Sequence, residues 1–83
     1  MKFLSTQRQR AVIFHGLTLI IPVWARFVAA DTDGSVYAYD CQPVMVNDYE
    51  WRRVTGTYTI ICDVDLEGLD WRNSLVIYED FKL

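Results

Sequence analysis

The stretch that decides the fold is residues 23–41, VWARFVAADTDGSVYAYDC. In residues 23–30 both alternating sets of side chains are largely apolar, which predicts a strand with at least one covered face. Residues 31–34, DTDG, predict a tight turn, because aspartate side chains bond nearby backbone amides and glycine accepts a positive φ without steric cost. Residues 35–41 alternate again and predict the return strand, which Pro43 ends. The stretch therefore predicts a β-hairpin.

The segments on either side of this hairpin also have strand character. Residues 17–22 are rich in leucine and isoleucine, and the proline at position 22 ends a first strand. Residues 57–64 alternate apolar and polar side chains, which predicts a strand with one buried face that joins the sheet. Between them, residues 44–55 lose their period, and we expect Trp51 to anchor this loop.

The last part of the chain combines a helix-start signal with a strand-like run. Asp70 can cap a short helix that begins at Trp71, with Leu75 and Tyr78 at helical spacing. The apolar residues 75–78 also fit a strand, so we favour a turn of helix that leads into an edge strand or tail. The fold class that follows is a mainly β, small α+β protein: an antiparallel sheet of three to four strands with one or two short helical segments.

Length and composition predict a single folded domain over residues 1–83. The chain is 52% hydrophobic and 14% aromatic, unlike a disordered chain. Its basic residues are uneven, since the first 26 residues carry Lys2, Arg8, Arg10 and Arg26 and no acid. We therefore interpret residues 1–16 as a basic N-terminal extension. Its basic residues are too sparse for a nucleic-acid module, so we expect no nucleic-acid partner.

The N-terminal part also imitates a secretion signal, because an apolar run over residues 11–25 follows a basic stretch. His15, Gly16 and Pro22 interrupt that run, and it is too short for a transmembrane helix, which needs about 20 apolar residues. We therefore expect a cytoplasmic protein with no membrane association.

No arrangement in the sequence predicts catalysis. His15 is the single histidine and lies far in sequence from any acid, so a nucleophile–histidine–acid relay would need long-range assembly. Cys41 and Cys62 form no CxxC pair and lack a neighbouring histidine or lysine that would stabilise a thiolate. We expect both thiols to stay reduced. The alternative is a disulfide between them, which needs neighbouring strands and an oxidising compartment. The sequence predicts a protein that is not an enzyme and has no cofactor.

Alternating acids followed by glycine resemble the first half of a calcium loop. Asp63, Asp65 and Glu67 stand at ligand spacing and Gly68 follows, but Ser74 occupies the twelfth position, where a bidentate glutamate is needed. We interpret these acids as solubilising groups on an exposed sheet edge and expect no metal site.

Aromatic and basic residues are the best candidates for binding. Tryptophan, tyrosine and arginine dominate interface hot spots, because they bury large areas while they keep a polar group available. We assign Trp24, Trp51 and Trp71 to the core. The candidate binding residues are Tyr37, Tyr39, Tyr49, Arg52 and Arg53.

An ordered set of short motifs covers residues 20–75. These are IPVWARFVA at residues 21–29, DTDGSVYAY at 31–39, Pro43, Trp51, and DWRNSL at 70–75. The set resembles small, uncharacterised bacteriophage accessory proteins with the order P-x-W-A, A-x-D-x-D-G-x-V-x-x-Y and D-W-x-x-S-L. The resemblance implies a phage or prophage product that acts in the cytoplasm of the infected bacterium, with no activity or site to transfer.

Three functions are compatible with this pattern. The first is a protein that binds and inhibits a host bacterial protein, for example a defence component such as a CRISPR effector. The second is a sponge that sequesters a small nucleotide signal, with tyrosines stacked on bases and arginines on phosphates. The third is a structural or regulatory phage protein. Independently of these, an uncovered sheet edge predicts a homodimer.

Overall fold

The computed structural model describes residues 8–79. Its eight strands are β1 (Gln9–Phe14), β2 (Leu17–Pro22), β3 (Phe27–Ala30), β4 (Ser35–Tyr39), β5 (Val44–Val46), β6 (Glu50–Arg52), β7 (Tyr58–Asp63) and β8 (Val76–Ile77). One 3₁₀ turn, Trp71–Asn73, precedes β8. The predicted fold class, mainly β with an antiparallel sheet, is confirmed. No helix within this part of the chain is long and apolar enough to span a membrane.

The central sheet has four antiparallel strands in the order β7-β4-β3-β8. The predicted hairpin is present as β3 and β4, and Gly34 closes its turn with a φ of 90°. Strand β3 begins at Phe27 rather than at Val23, because the Ala25 amide donates to the Pro22 carbonyl at 3.0 Å and turns the chain there. Strand β4 ends at Tyr39 rather than at Cys41.

The two faces of this sheet carry different side chains. One face, called the covered face here, presents Val28, Ala30, Val36 and Ala38, all with no exposed surface. The other, called the tyrosine face, presents Phe27, Ala29, Tyr37, Tyr39, Tyr58 and Ile60, which the strand register places side by side.

The hairpin of β1 and β2 lies on the covered face. Its two-residue turn, His15 and Gly16, has φ values of 48° and 85°, and such left-handed pairs suit the twist of a tight hairpin. Phe14, Leu19 and Ile21 point from it into the core cluster. Residues 9–16 of the predicted N-terminal extension thus form β1 and this turn, whereas residues 1–7 lie outside the described part of the chain.

A third hairpin, β5 and β6, occupies the segment that we expected to be a loop without a period. Asn47 turns it, with a left-handed φ of 55°, a conformation that asparagine tolerates well. Trp51 anchors it as predicted, with 7% of its surface exposed.

Near the end of the described chain, Asp70 caps the 3₁₀ turn by accepting a hydrogen bond from the Arg72 amide. The helical turn stops at Asn73 and does not continue to Leu75 and Tyr78, and the chain then extends as edge strand β8. The predicted turn of helix that leads into an edge strand is therefore present.

Buried Ser74 joins the layers of the protein. Its Oγ accepts from the Ala30 amide at 2.9 Å and donates to the Trp71 carbonyl at 2.7 Å. Its own carbonyl lies 2.7 Å from Nε2 of His15. Because a carbonyl can only accept, Nε2 carries the proton. One buried hydroxyl therefore satisfies an amide of β3 and holds the 3₁₀ turn beside it.

Candidate functional site

Three tyrosine rings cluster on the tyrosine face, where β4 meets β7. Strand register places Tyr39 directly across from Tyr58, and their rings stack with centroids 6.0 Å apart and planes 14° apart. Tyr37 completes the cluster, with its ring 6.4 Å from that of Tyr39 and 6.0 Å from that of Tyr58. These three rings form one wall of a shallow groove of about 390 Å³, called the tyrosine groove here.

The opposite wall comes from β6 and the residues beside it. Trp51 is fixed in two ways, because its amide donates to Oδ1 of Asp31 at 2.8 Å and its indole Nε1 donates to the Trp71 carbonyl at 3.2 Å. The Trp51 and Trp71 rings also meet edge to face at 6.2 Å. These contacts hold the β5–β6 hairpin over the β3 side of the tyrosine face and leave the β7 side open.

Charges of both signs line the groove. Arg52 pairs with Glu50 at 3.0 Å, and both side chains are about half exposed. Arg53 donates to the Gly56 carbonyl at 3.0 Å. Its guanidinium lies over the Tyr58 ring, 5.5 Å from the centroid. The stacked arginine extends the aromatic wall with a flat, positively charged surface.

The environment of the groove shifts its ionisable groups. Burial raises the pKa of Asp31, and nearby Asp33 and Glu50 add to this, although the hydrogen bond from the Trp51 amide opposes it. Burial also raises the pKa of Tyr39 and, with the negative charge of Asp31, that of Tyr37. Both hydroxyls are therefore protonated at neutral pH and remain available as hydrogen-bond donors.

The structure brings together four of the five candidate binding residues, since Tyr37, Tyr39, Arg52 and Arg53 all line the tyrosine groove. Tyr49 does not line it. This side chain is 67% exposed and contributes to a neighbouring depression beside the turn between β3 and β4.

Sequence reasoning missed Tyr58, which is 50% exposed and central to the groove. The signal was its place at the start of an alternating strand. Only the register, which puts Tyr58 across from Tyr39, shows that the two tyrosines share a face.

The acids of the calcium-like pattern lie elsewhere. Asp63, Asp65 and Glu67 line a separate groove together with His15, and Oδ1 of Asp65 accepts from the Glu67 amide at 2.9 Å. That bond makes the pair a local turn. Within residues 8–79, no three histidine, cysteine, aspartate or glutamate side chains come together as a metal site requires.

Both cysteines, Cys41 and Cys62, are free and partly buried. Burial and a neighbouring aspartate raise the pKa of each thiol. A raised pKa lowers the thiolate fraction at neutral pH and so disfavours nucleophilic chemistry at either sulfur.

Comparison with known proteins adds no relative to this description. No protein-family model matches the chain, and neither curated proteins nor solved structures include a significant match. The resemblance to bacteriophage accessory proteins therefore stays a prediction.

Proposed function

We propose that this chain is a non-enzymatic binding protein that docks on a partner protein through the tyrosine groove and inhibits the partner by occupying its surface. The observation that carries the proposal is the open half of the tyrosine face, where Tyr37, Tyr39 and Tyr58 cluster beside Arg53. The resemblance to phage accessory proteins supports a host bacterial protein as the partner, in the cytoplasm of the infected cell. A defence component such as a CRISPR effector is the partner class that we expect.

The groove has the composition of an interface hot spot. Tyrosine and arginine anchor most protein interfaces, because each combines a large flat contact area with hydrogen-bond donors. Here Tyr58 is 50% exposed, enough to enter a partner's pocket, and its ring stacks against that of Tyr39, which is 2% exposed. A side chain already held by stacking loses little conformational freedom on binding, which favours affinity.

The histidine and the two cysteines are poorly suited to catalysis. The Nε2–H of His15 is donated to the Ser74 carbonyl, and both thiols have raised pKa values. These features support binding rather than catalysis as the function.

A small nucleotide is the alternative ligand, because stacked tyrosines and arginines also suit bases and phosphates. The charges of the groove favour a protein instead. Asp31 and Glu50 line the same groove, and their carboxylates would repel a phosphate. Arg52 is already paired with Glu50. A protein surface can match charges of both signs, whereas a nucleotide phosphate cannot.

The experiment compares two tyrosine variants, Tyr58→Ala in the groove and Tyr49→Ala outside it. The tagged chain is expressed in a bacterial host, purified gently and weighed by native mass spectrometry. Any protein that co-purifies is then produced separately and titrated calorimetrically with each purified variant. We expect a stoichiometric complex whose affinity falls by about thirtyfold in Tyr58→Ala, the weakening typical of a hot spot, and changes little in Tyr49→Ala.

Two results would contradict the proposal. Equal weakening by both variants would show that the groove is not the docking site. A retained mass of a few hundred daltons per subunit that Arg53→Ala removes, with no bound protein, would identify a nucleotide ligand instead.

A further inference from the structure

Strand β7 is an open edge of the central sheet. Among residues 8–79 it pairs with β4 alone, and its six residues contrast with the two residues of β8 at the opposite edge. A long edge strand presents unpaired amide and carbonyl groups, which are a template for pairing with another strand.

A hydrogen bond at the start of β7 shows which of its backbone groups face outward. The Thr57 carbonyl accepts from the Asp40 amide at 3.1 Å, so Thr57 is turned toward β4. Backbone groups alternate sides along an antiparallel strand, so those of Tyr58 and Ile60 point to the open edge. The register shift in the β4–β7 pairing interrupts this alternation only after Ile60. The side chains of Tyr58 and Ile60 are 50% and 56% exposed on the tyrosine face.

The charges along β7 are self-complementary. The Arg53 guanidinium lies over the Tyr58 ring at the start of the strand, whereas acidic Asp63 ends the strand on the same face, in register with Ser35. An identical strand that runs antiparallel alongside would place each basic end beside the acidic end of the other copy. A parallel or unrelated neutral strand would gain nothing from this pattern, so the charges favour a second copy as the occupant of the edge.

We propose that the protein forms a twofold homodimer in which β7 pairs antiparallel with β7 of a second copy, with the axis at Thr59. In this register Tyr58 of each copy exchanges backbone hydrogen bonds with Ile60 of the other, and the Arg53 guanidinium, held over Tyr58, lies on the same face as Asp63 of the second copy. The central sheet then continues from one copy into the next. The twofold axis is perpendicular to the sheet, so both tyrosine grooves lie on the same side of the dimer.

This dimer does not depend on the proposed partner protein, because its strand pairing uses backbone groups of β7, although Tyr58 and Arg53 also line the tyrosine groove. Ile60 lies outside the groove lining, so Ile60→Lys should weaken the dimer and leave the groove intact. Tyr58→Ala keeps the backbone pairing and should chiefly weaken partner binding.

The test uses two isoleucine variants of similar exposure. Ile60→Lys places a charge in the proposed interface, whereas Ile20→Lys places it on the outer surface of β2, where Ile20 is 52% exposed. Sedimentation velocity of the full chain across the micromolar range should show wild type and Ile20→Lys at twice the monomer mass of 9.7 kDa. Ile60→Lys should raise the dimer dissociation constant by about tenfold or more.

Two further measurements sharpen the register. Hydrogen exchange at the Tyr58 and Ile60 amides should slow as the protein concentration rises, because dimerisation gives these amides acceptors. Arg53→Glu and Asp63→Arg should each weaken the dimer, and the double variant should restore it. A monomer at every concentration would overturn the proposal, as would a dimer that Ile20→Lys dissociates and Ile60→Lys does not.

Discussion

The two faces of the central sheet are built on the same strands, yet they differ in the size of their side chains. The covered face has valine and alanine, such as Val36 and Ala38, which let the β1–β2 hairpin approach closely. The tyrosine face has rings that project far from the backbone, and the β5–β6 hairpin covers only the part near Trp51 and Trp71. Small residues on one face thus close the core, and large residues on the other leave a groove.

The greatest loss of stability should follow from replacing isoleucine by alanine on the covered side of the sheet, and the same replacement on the tyrosine face should cost far less. Ile21→Ala removes a side chain with no exposed surface beneath the covered face, and we expect a loss of about 2–5 kcal/mol in the free energy of unfolding. Ile60→Ala on the tyrosine face, where Ile60 is 56% exposed, should cost about 1 kcal/mol or less. Urea unfolding followed by tryptophan fluorescence, at low protein concentration, measures the loss in each variant. Equal losses would show that the two faces contribute equally to stability.

The next effect concerns Gly34, in the turn that joins β3 to β4. A Cβ at this position would overlap the Val64 carbonyl oxygen, and Val64 packs against the core of the covered face. Gly34→Ala should therefore cost more than the about 1–2 kcal/mol of a left-handed backbone alone. Gly16→Ala is the control, since its φ is also positive at 85° but nothing lies within 4 Å of the added Cβ. Thermal unfolding should give Gly34→Ala the lower midpoint; the reverse order would contradict the packing argument.

A smaller loss of stability should follow from removing the Ser74 hydroxyl, whose hydrogen bonds join the layers. Ser74→Ala leaves the Ala30 amide without its buried acceptor, which should cost about 1–3 kcal/mol. The neighbouring, exposed Asn73→Ala should change stability by about 0.5 kcal/mol or less. Chemical denaturation of the two variants measures the difference, and a neutral Ser74→Ala would show that the hydroxyl is dispensable.

The smallest effect is electrostatic and lies in the groove. Because the pKa of Asp31 is raised in the fold, its contribution to stability is present at pH values below its ordinary 3.8 and is lost as pH rises through the raised value. Asp31→Asn, which keeps an oxygen for the Trp51 amide, should therefore gain stability relative to wild type as pH rises. The gain should reach about 0.5 kcal/mol at neutral pH once solvent screening is allowed for.

Asp33 supplies a control of opposite sign. Hydrogen bonding by Ser35 lowers its pKa, so its contribution is present above the ordinary value and is lost as pH falls through the lowered one. Asp33→Asn should therefore lose stability at neutral pH. Thermal midpoints across the acidic range measure the stability of both variants. If both variants gained stability, or both lost it, relative to wild type as pH rises, the opposite pKa shifts of Asp31 and Asp33 would be refuted.

The sequence predicted the parts of this fold that depend on local signals. The turn at residues 31–34, the stop at Pro22 and the cap at Asp70 each act within a few residues, and each is present. Strand β1 was not predicted, because its outer residues Ala11 and Ile13 are apolar although exposed, which hides the alternation of inner and outer positions. The β5–β6 hairpin was missed because three-residue strands are too short to show a period.

The candidate site was predicted in its residue types but not in its boundary. Tyr37 and Tyr39 are two apart on one strand, so an alternating pattern places them together. Tyr58 joins them only through strand register, and Tyr49 departs from them because the turn after Asn47 carries it outside the groove. Both placements depend on how distant segments pack together, so a short stretch of sequence cannot predict them.

The pairing of β3 has a consequence for how the chain folds. One neighbour of β3, strand β4, is joined to it by a four-residue turn, whereas the other, β8, follows tens of residues later. Closing the longer loop costs more chain entropy, so the β3–β4 hairpin should form early and β8 should dock late. The tyrosines of β4 and β7 lie on the far side of β3 from β8, so the tyrosine cluster can assemble before the last edge of the sheet is in place.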